Sequence, residues 1–385
     1  MDLLDWRRRL VGVVPVIAAE SGRRRRRAWL VIGGLTLVLV ACAAVGRVRA
    51  LRRAQPPLGR IVPAAHHPVL LMNPRSGGGK VERSGLLREC GARGIEPVVL
   101  GPGEDLVDLA EAAVAGGADV LGMAGGDGSQ ALVAGVAARH GVAMVVVPAG
   151  TRNHLAMDLG LDRDDVVGAL DAFGVAVERP IDLGDVNGRL FVNNVSLGLY
   201  AEIVRLPEYR DAKLETTLST LPGLLGPGRP PFDLRFTGPA GEQHTGAHVV
   251  QVSNNPYGRT AGTFVSRPCL DTGHLGVIAL ELPDDPADKT FLAAVAAGRP
   301  ERFPGYVAWT PSTFEVDSDA PINAGIDGEA LRIAPPLRFN NRRGALRIRL
   351  PQHASGLSPA ARELRARSTV CALGTPPPGR TSGSP

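Results

Sequence analysis

Residues 125–129 read Gly-Gly-Asp-Gly-Ser, directly after the apolar run Val120-Leu121-Gly122-Met123-Ala124 and directly before the helix-like stretch Gln130–His140. An apolar strand feeding a glycine turn that opens a helix leaves bare backbone N–H groups at a helix N-terminus, where phosphate binds well. Asp127 stands among the glycines as a carboxylate able to hold a metal or a hydroxyl. Two further loops have the same character: Asn73-Pro74-Arg75-Ser76-Gly77-Gly78-Gly79-Lys80 and Pro148-Ala149-Gly150-Thr151-Arg152-Asn153-His154. Each closes an apolar run, so the set predicts one sheet edge built to hold a nucleoside triphosphate. Transfer of a phosphoryl group is mostly positioning and charge neutralisation, which backbone donors and Mg²⁺ supply; Lys80 or Arg152 would add positive charge.

Two other nucleotide signatures fail. A P-loop needs Gly where Pro74 stands and Ser or Thr where Val81 stands. The second loop satisfies Gly126-x-Gly128-x-x-Ala131, but a dinucleotide site needs a ribose-binding acid at the end of the next strand, and that strand ends in Val147-Pro148-Ala149. Cys42, Cys90, Cys269 and Cys371 show no paired spacing, and His66, His67, His140, His244, His248 and His274 show no ligand spacing, so neither a disulfide framework nor a zinc site is expected.

The elements that must position these loops follow from periodicity. Val69–Met72, Glu96–Leu100, Asp119–Met123 and Ala143–Val147 read as strands, alternating with helices over Val81–Ala92, Asp105–Ala115 and Gln130–His140. Short apolar strands alternating with such helices predict a Rossmann-like parallel α/β domain over 68–183. Beyond it the texture changes. Asn187-Gly188 between two apolar runs predicts a type I′ hairpin. Phe232–Phe236, His248–Val252, Val277–Leu280, Thr313–Val316 and Ala345–Leu350 read as strands separated by Gly, Pro and Asn, with helices near Asp211–Thr220 and Asp288–Ala297. A second, antiparallel β domain is expected over 184–352, followed by a disordered Pro-, Ser- and Gly-rich tail at 353–385.

Net charge is informative only when divided. Residues 1–60 carry 13 Arg against Asp2, Asp5 and Glu20, and residues 353–385 carry four Arg against Glu363; the +5 of the whole chain therefore hides an acidic body. Such a body argues against nucleic acid as a partner. Ala28–Gly46 is uncharged and long enough to cross a bilayer, behind a basic segment at 1–27 and ahead of an Arg- and Pro-containing linker at 47–67. Both flanks are basic, so the positive-inside rule does not orient this helix, whereas ATP chemistry requires the body in the cytoplasm. Nothing in the sequence sets an oligomeric state.

Taken together, Asn-Pro-x-Ser-Gly at 73–77, Gly-Gly-Asp-Gly-Ser at 125–129, Gly-Thr-x-Asn at 150–153 and Asp-Gly-Glu at 327–329 resemble the catalytic domain of the diacylglycerol kinase and sphingosine kinase superfamily, and most of all its bacterial diacylglycerol and lipid kinases. The resemblance covers roughly 68–351 and implies an α/β domain followed by a β-sandwich, with ATP and lipid meeting between them. It implies that Asn73, Ser76 and Gly77 lie against the nucleotide, that Gly125, Gly126, Gly128 and Ser129 hold phosphates, and that Gly150 and Thr151, with Arg152 and Asn153, continue that wall. Asp127 would join the Mg²⁺ network, Asp327 would take the proton of the lipid hydroxyl, and Glu329 would help position metal or nucleotide. The chain departs from the family at His154, where many members have Asp; Asp158, on the same face of a helix, is the candidate to compensate. Asp271-Thr272-Gly273-His274-Leu275 resembles a structural Mg²⁺ loop with Thr272 in place of the second acid, which leaves Asp271 as its candidate ligand. The expected activity is ATP- and Mg²⁺-dependent phosphorylation of a membrane lipid, diacylglycerol first, by a single-pass anchored enzyme facing the cytoplasm. The alternatives are a small-metabolite kinase related to NAD kinase and a membrane-tethered binding protein with a decayed site.

Overall fold

The computed structural model describes residues 59–199, 201, 231–258, 266–282, 293–294 and 302–373. The basic segment 1–27, the expected membrane helix at 28–46, the first part of the linker, the helix expected near 211–220 and nearly all of that near 288–297 lie outside the described residues.

Strand β1 (Arg60–Val62) lies within the expected linker. The expected alternation then follows: β2 (Pro68–Met72), α1 (Lys80–Arg83), α2 (Leu86–Arg93), β3 (Glu96–Val99), α3 (Leu106–Ala115), β4 (Val120–Gly125), α4 (Asp127–His140), β5 (Ala143–Pro148) and the short α5 (His154–Asp158). These four strands lie in the order β5-β4-β2-β3 and are parallel throughout. Every residue of β2, β4 and β5 is buried, the pattern of strands covered on both faces. The helix expected over 81–92 is two helices, because Gly85 takes a left-handed φ of 63° and interrupts the hydrogen-bond ladder. Asp105 starts α3 as a cap, its carboxylate accepting from Val107 N–H at 2.7 Å.

β6 (Ala176–Val186) turns at Asn187-Gly188 into β7 (Arg189–Phe191), a two-residue turn with both φ values positive, as a type I′ hairpin requires. The remaining strands are β8 (Asn194–Gly198), β9 (Phe236–Thr237), β10 (Gln243–His244), β11 (Val249–Asn254), β12 (Leu275–Leu280), β13 (Tyr306–Trp309), β14 (Thr313–Val316), β15 (Ile322–Ile326), β16 (Glu329–Ile333) and β17 (Leu337–Pro351). Six of them form an antiparallel sheet in the order β13-β12-β11-β8-β15-β16. The strand expected over 232–236 reduces to an isolated bridge at Phe232 and the two-residue β9.

The antiparallel sheet buries Val195, Leu197, Val250 and Val252 against Phe191, Phe314 and Phe339 of β7, β14 and β17. Those partners belong to the nine-stranded sheet that also holds the parallel strands. The expected boundary between 183 and 184 falls inside β6, which pairs with β17 over nearly its whole length. β17 enters both cores, with Leu337 and Phe339 in one and Leu346, Ile348 and Leu350 in the other. Its C-terminal end runs parallel to β5.

The tail expected to be disordered instead continues in order through α6 (Pro359–Leu373). Ser358 caps this helix, its hydroxyl accepting from Ala361 N–H at 3.0 Å, and Ala360 and Ala361 are buried. Pro359 occupies the first helical position, where its missing N–H costs nothing.

Candidate active site

The three glycine loops lie at the carboxyl ends of β2, β4 and β5, which are neighbours in the sheet. They touch one another. A Cβ on Gly150 would stand 2.3 Å from the Gly126 Cα, and a Cβ on Gly77 would stand 2.4 Å from the Ala149 carbonyl oxygen. Only glycine permits these approaches without moving backbone. Asn73 Nδ2 reaches Ser129 Oγ at 3.4 Å, joining the first loop to the second. Gln130, which sequence reasoning passed over, is buried beneath them and donates to the Met123 and Val147 carbonyls at 2.7 and 3.2 Å, tying β4 to β5. Asn73, Ser76, Gly77, Gly125, Gly126, Gly128, Ser129, Gly150, Thr151 and Arg152 are thus assembled on one sheet edge.

Two expected nucleotide residues are engaged elsewhere. Lys80 donates to the Arg163 carbonyl at 2.7 Å and lies 3.9 Å from Asp164, so it braces the 162–164 turn. Asn153 is only 5% exposed; it accepts from Gly150 N–H at 2.9 Å and donates to the Pro148 and Gly150 carbonyls at 3.2 and 2.8 Å. Its side chain shapes the third loop from within.

Asp127 is the first residue of α4 and accepts from the first two N–H groups of α5, His154 and Leu155, at 3.0 Å each. Its carboxylate therefore joins two helix N-termini, where negative charge is favoured. Burial pushes the His154 imidazole below its ordinary pKa, against the pull of Asp127 and Asp158, so a neutral ring stands beside Asp127.

Asp327 and Gly328 form the two-residue turn between β15 and β16, with φ of 47° and 91°. The hairpin reading of Asp-Gly-Glu is correct, and the turn also presents a carboxylate to the β7–β8 connection. The Asp327 carboxylate accepts Val192 N–H at 2.8 Å on Oδ2, and Asn193 N–H at 2.8 Å and Asn194 N–H at 3.1 Å on Oδ1. Three donors favour the ionised form, yet burial outweighs them and, with the Asp127 charge added, pushes this carboxyl up to about 7. A carboxylate tuned to neutral pH suits proton abstraction from a hydroxyl.

Asp158 does not stand in for an acid at 154. It forms a fully buried ion pair with Arg267, Nε to Oδ2 at 2.6 Å, and also accepts Arg267 N–H at 3.0 Å. Arg267 then donates to the carbonyls of Val192 and Asn254 at 2.6 and 2.8 Å, and to Asn193 Oδ1 at 2.7 Å. Val192 and Asn193 are the residues whose N–H groups hold Asp327. One arginine thus ties α5, which caps Asp127, to the clamp around Asp327. Beside it, Tyr257 accepts from Asn194 Nδ2 at 2.9 Å, and burial pushes its phenol up to about 12. The paired asparagines at 193–194 and 254–255 were the available sequence signal, since buried amides in apolar strands demand partners; Arg267 carried none.

Glu329 follows the same turn. Its Oε2 accepts from Arg189 at 3.1 Å, and a Cβ on Gly128 would meet its Oε1 at 2.9 Å. A cleft of about 220 Å³ between α4 and the two hairpin turns is lined by Gly128, Arg189, Asp327, Glu329 and Arg342. Among the described residues no cluster of three or more His, Cys, Asp or Glu forms a ready-made metal cage. Mg²⁺ arriving on a nucleotide needs only one or two carboxylates beside phosphate oxygens and water, and Asp127, at the start of α4, is such a carboxylate. Hydrogen bonds hold the loop at 271–274: Asp182 accepts Gly273 N–H at 2.7 Å, and Thr272 donates its hydroxyl to Asn255 Oδ1 at 2.6 Å. Asp271 is exposed.

A parallel α/β edge with three apposed glycine loops and two carboxylates defines a phosphate-handling cleft. The family profile for the diacylglycerol kinase catalytic domain matches residues 67–186. The chain is 38% identical to a "Diacylglycerol kinase" of Bacillus subtilis over 106 residues, 27% of this chain and 34% of that relative, so the match spans about a third of the relative's length. It is 29% identical to a "Probable lipid kinase YegS-like" of Pseudomonas aeruginosa over 266 residues, 66% of this chain and 84% of the relative. The fold is similar to the crystal structure of a diacylglycerol kinase from Bacillus anthracis str. Sterne, with a TM-score of 0.53 at 16% identity, covering 75% of this chain and 98% of the other. The resemblance read from the motifs therefore holds: residues 67–186 match the diacylglycerol kinase catalytic domain, and bacterial diacylglycerol and lipid kinases are similar to this chain.

Proposed function

We propose that this protein is a lipid kinase that transfers the γ-phosphoryl group of ATP to a lipid hydroxyl, diacylglycerol before others, at a membrane surface. The observation that carries the reading is the approach of the Gly126 and Gly150 backbones beside Asp127, within the electrostatic reach of the half-buried Asp327. Backbone N–H groups at the start of α4 receive the phosphates, and Arg152 adds charge at the same edge. Asp127 would hold Mg²⁺, which would neutralise charge on the transferring group. Asp327 orients the acceptor hydroxyl and takes its proton on Oδ2, which accepts only one of the three clamp donors. Glu329, balanced by Arg189, borders the cleft and positions what enters it. The lipid acceptor is supported by the kinase relatives and by the apolar stretch Ala28–Gly46, which would anchor the enzyme with its body in the cytoplasm. No helix among the described residues is long and apolar enough to cross a membrane.

The test offers purified full-length protein Mg²⁺ and γ-labelled ATP with diacylglycerol, a sphingoid base, a glycolipid or NAD as acceptor. Labelled phosphatidic acid as the main product is expected. Label on NAD would replace the reading with a small-metabolite kinase, and no transfer with any divalent metal would leave a decayed site.

A further inference from the structure

A pocket of about 820 Å³ lies away from the glycine loops, between β6, the 268–271 segment, β17 and α6. Its wall carries the guanidiniums of Arg60, Arg179, Arg347 and Arg365 against the carboxylates of Glu178 and Asp271; a third acid there, Asp158, is already neutralised by Arg267. Glu178 is claimed by Arg60 at 2.8 Å and by Arg347 at 3.4 Å. Arg179 is different. Its Nε is buried with no hydrogen-bond partner among the described residues, and the acid that acts on it most, Asp271, does so only through space. Burial pulls the guanidinium below its ordinary pKa, the mark of a desolvated cation without a contacting counter-ion. A buried cation left in this state is costly, and a ligand anion is the ordinary remedy.

The remainder of the wall is apolar, supplied by Ile181, Leu270, Leu357, Ala361 and Leu364. At the rim Leu364 is 53% exposed. A small inorganic anion would answer Arg179 and leave this wall wet. An amphiphile with an anionic head answers both. Guanidinium recognises phosphate by paired, charge-assisted hydrogen bonds, which makes a phosphomonoester the best head group for several converging arginines. None of the glycine-loop residues and neither Asp127 nor Asp327 lines this pocket, so it is separate from the transfer cleft.

We propose that this pocket is a second ligand site that binds a lipid phosphate, its head on Arg179 and its chains along the Leu270–Leu364 wall. The assignment rests on the pocket's own residues and stands whichever acceptor the transfer cleft uses. Asp158 forms part of the inner wall, so the occupant sits one residue from the ion pair that braces the Asp327 clamp.

The test titrates full-length protein, without nucleotide, with dihexanoyl phosphatidic acid, inorganic phosphate and dihexanoylglycerol, reading affinity by calorimetry and location by amide hydrogen exchange. Phosphatidic acid is expected to slow exchange over 176–181 and 357–365. Arg179→Met, which keeps side-chain length and removes the charge, should weaken that binding at least about tenfold, the scale of one charge-assisted pair, and should not lower the thermal midpoint of the ligand-free protein. Leu364→Ser should weaken the lipid but not inorganic phosphate, which itself binds at least about tenfold more weakly. Protection confined to 125–130 and 150–155, wild-type affinity in Arg179→Met, or phosphate binding as tightly as the lipid would overturn the proposal.

Discussion

At Asp327 the demands of a hairpin and of a base fall on one residue, and the pKa follows from their competition. Desolvation and the Asp127 charge prevail over three backbone donors and bring the carboxyl to about 7. Because the base must be ionised, kcat/KM should rise with pH along an acid limb centred near 7 and flatten above it, and Asp327→Asn should abolish the limb with the rate. General-base removal of this kind costs about 10²- to 10⁴-fold. The Asn variant places an amide donor against a backbone donor, so about 1–3 kcal/mol of stability should be lost with it, visible in urea unfolding. The Asp158–Arg267 pair makes a different prediction. Arg267→Met strands a buried carboxylate and should cost about 3–5 kcal/mol, whereas the double change Asp158→Asn with Arg267→Met should recover much of it. Asp127 and Asp327 were legible because each lies in a short contiguous motif. Arg267 and the 192–194 clamp were not, because the bonds that matter join residues far apart in the chain and the clamp uses backbone N–H, which no side chain advertises. Asp158 was read correctly as helical and wrongly as a substitute ligand, since helical spacing sets its face but not its partner.

Among the elements, the glycine loops were legible as three separate turns and became a site only through the parallel order β5-β4-β2, which the alternation of strands and helices implied. Their contacts are narrow. Gly150→Ala drives a methyl into the Gly126 Cα and should weaken binding of a non-hydrolysable ATP analogue beyond detection while costing about 1–3 kcal/mol in unfolding free energy. α6 teaches the opposite lesson. Residues 353–385 have the composition of a tail, yet Ser358-Pro359-Ala360-Ala361 is a cap followed by Pro at the first helical position, a local signal that composition averaged away. Ser358→Ala should lower stability by about 1 kcal/mol, read as a lower thermal midpoint. The break between α1 and α2 at Gly85 has the same origin, a single residue overriding an apolar period.

For the whole molecule, β6 and β17 belong to the sheet that carries the glycine loops and reach both cores, so they also pack against the layer that carries the Asp327 hairpin. That packing fixes the two carboxylates relative to each other; the alternating pattern of each half was legible, but the exchange of β17 between them was not, because nothing local in a strand names its neighbour. The apolar stretch Ala28–Gly46, read as an anchor, predicts that the protein stays with membranes through a high-salt wash, which screens charge, and leaves them in detergent. The central claim is that one cleft, with Asp327 as its base, moves phosphate from ATP to a lipid. Single-turnover transfer of γ-label from Mg·ATP to diacylglycerol in mixed micelles, wild type beside Asp327→Asn at saturating ATP, tests it most directly. The account predicts labelled phosphatidic acid from wild type and a rate about 10²- to 10⁴-fold lower from the variant; equal rates from the two proteins, or no labelled lipid from wild type, would contradict it.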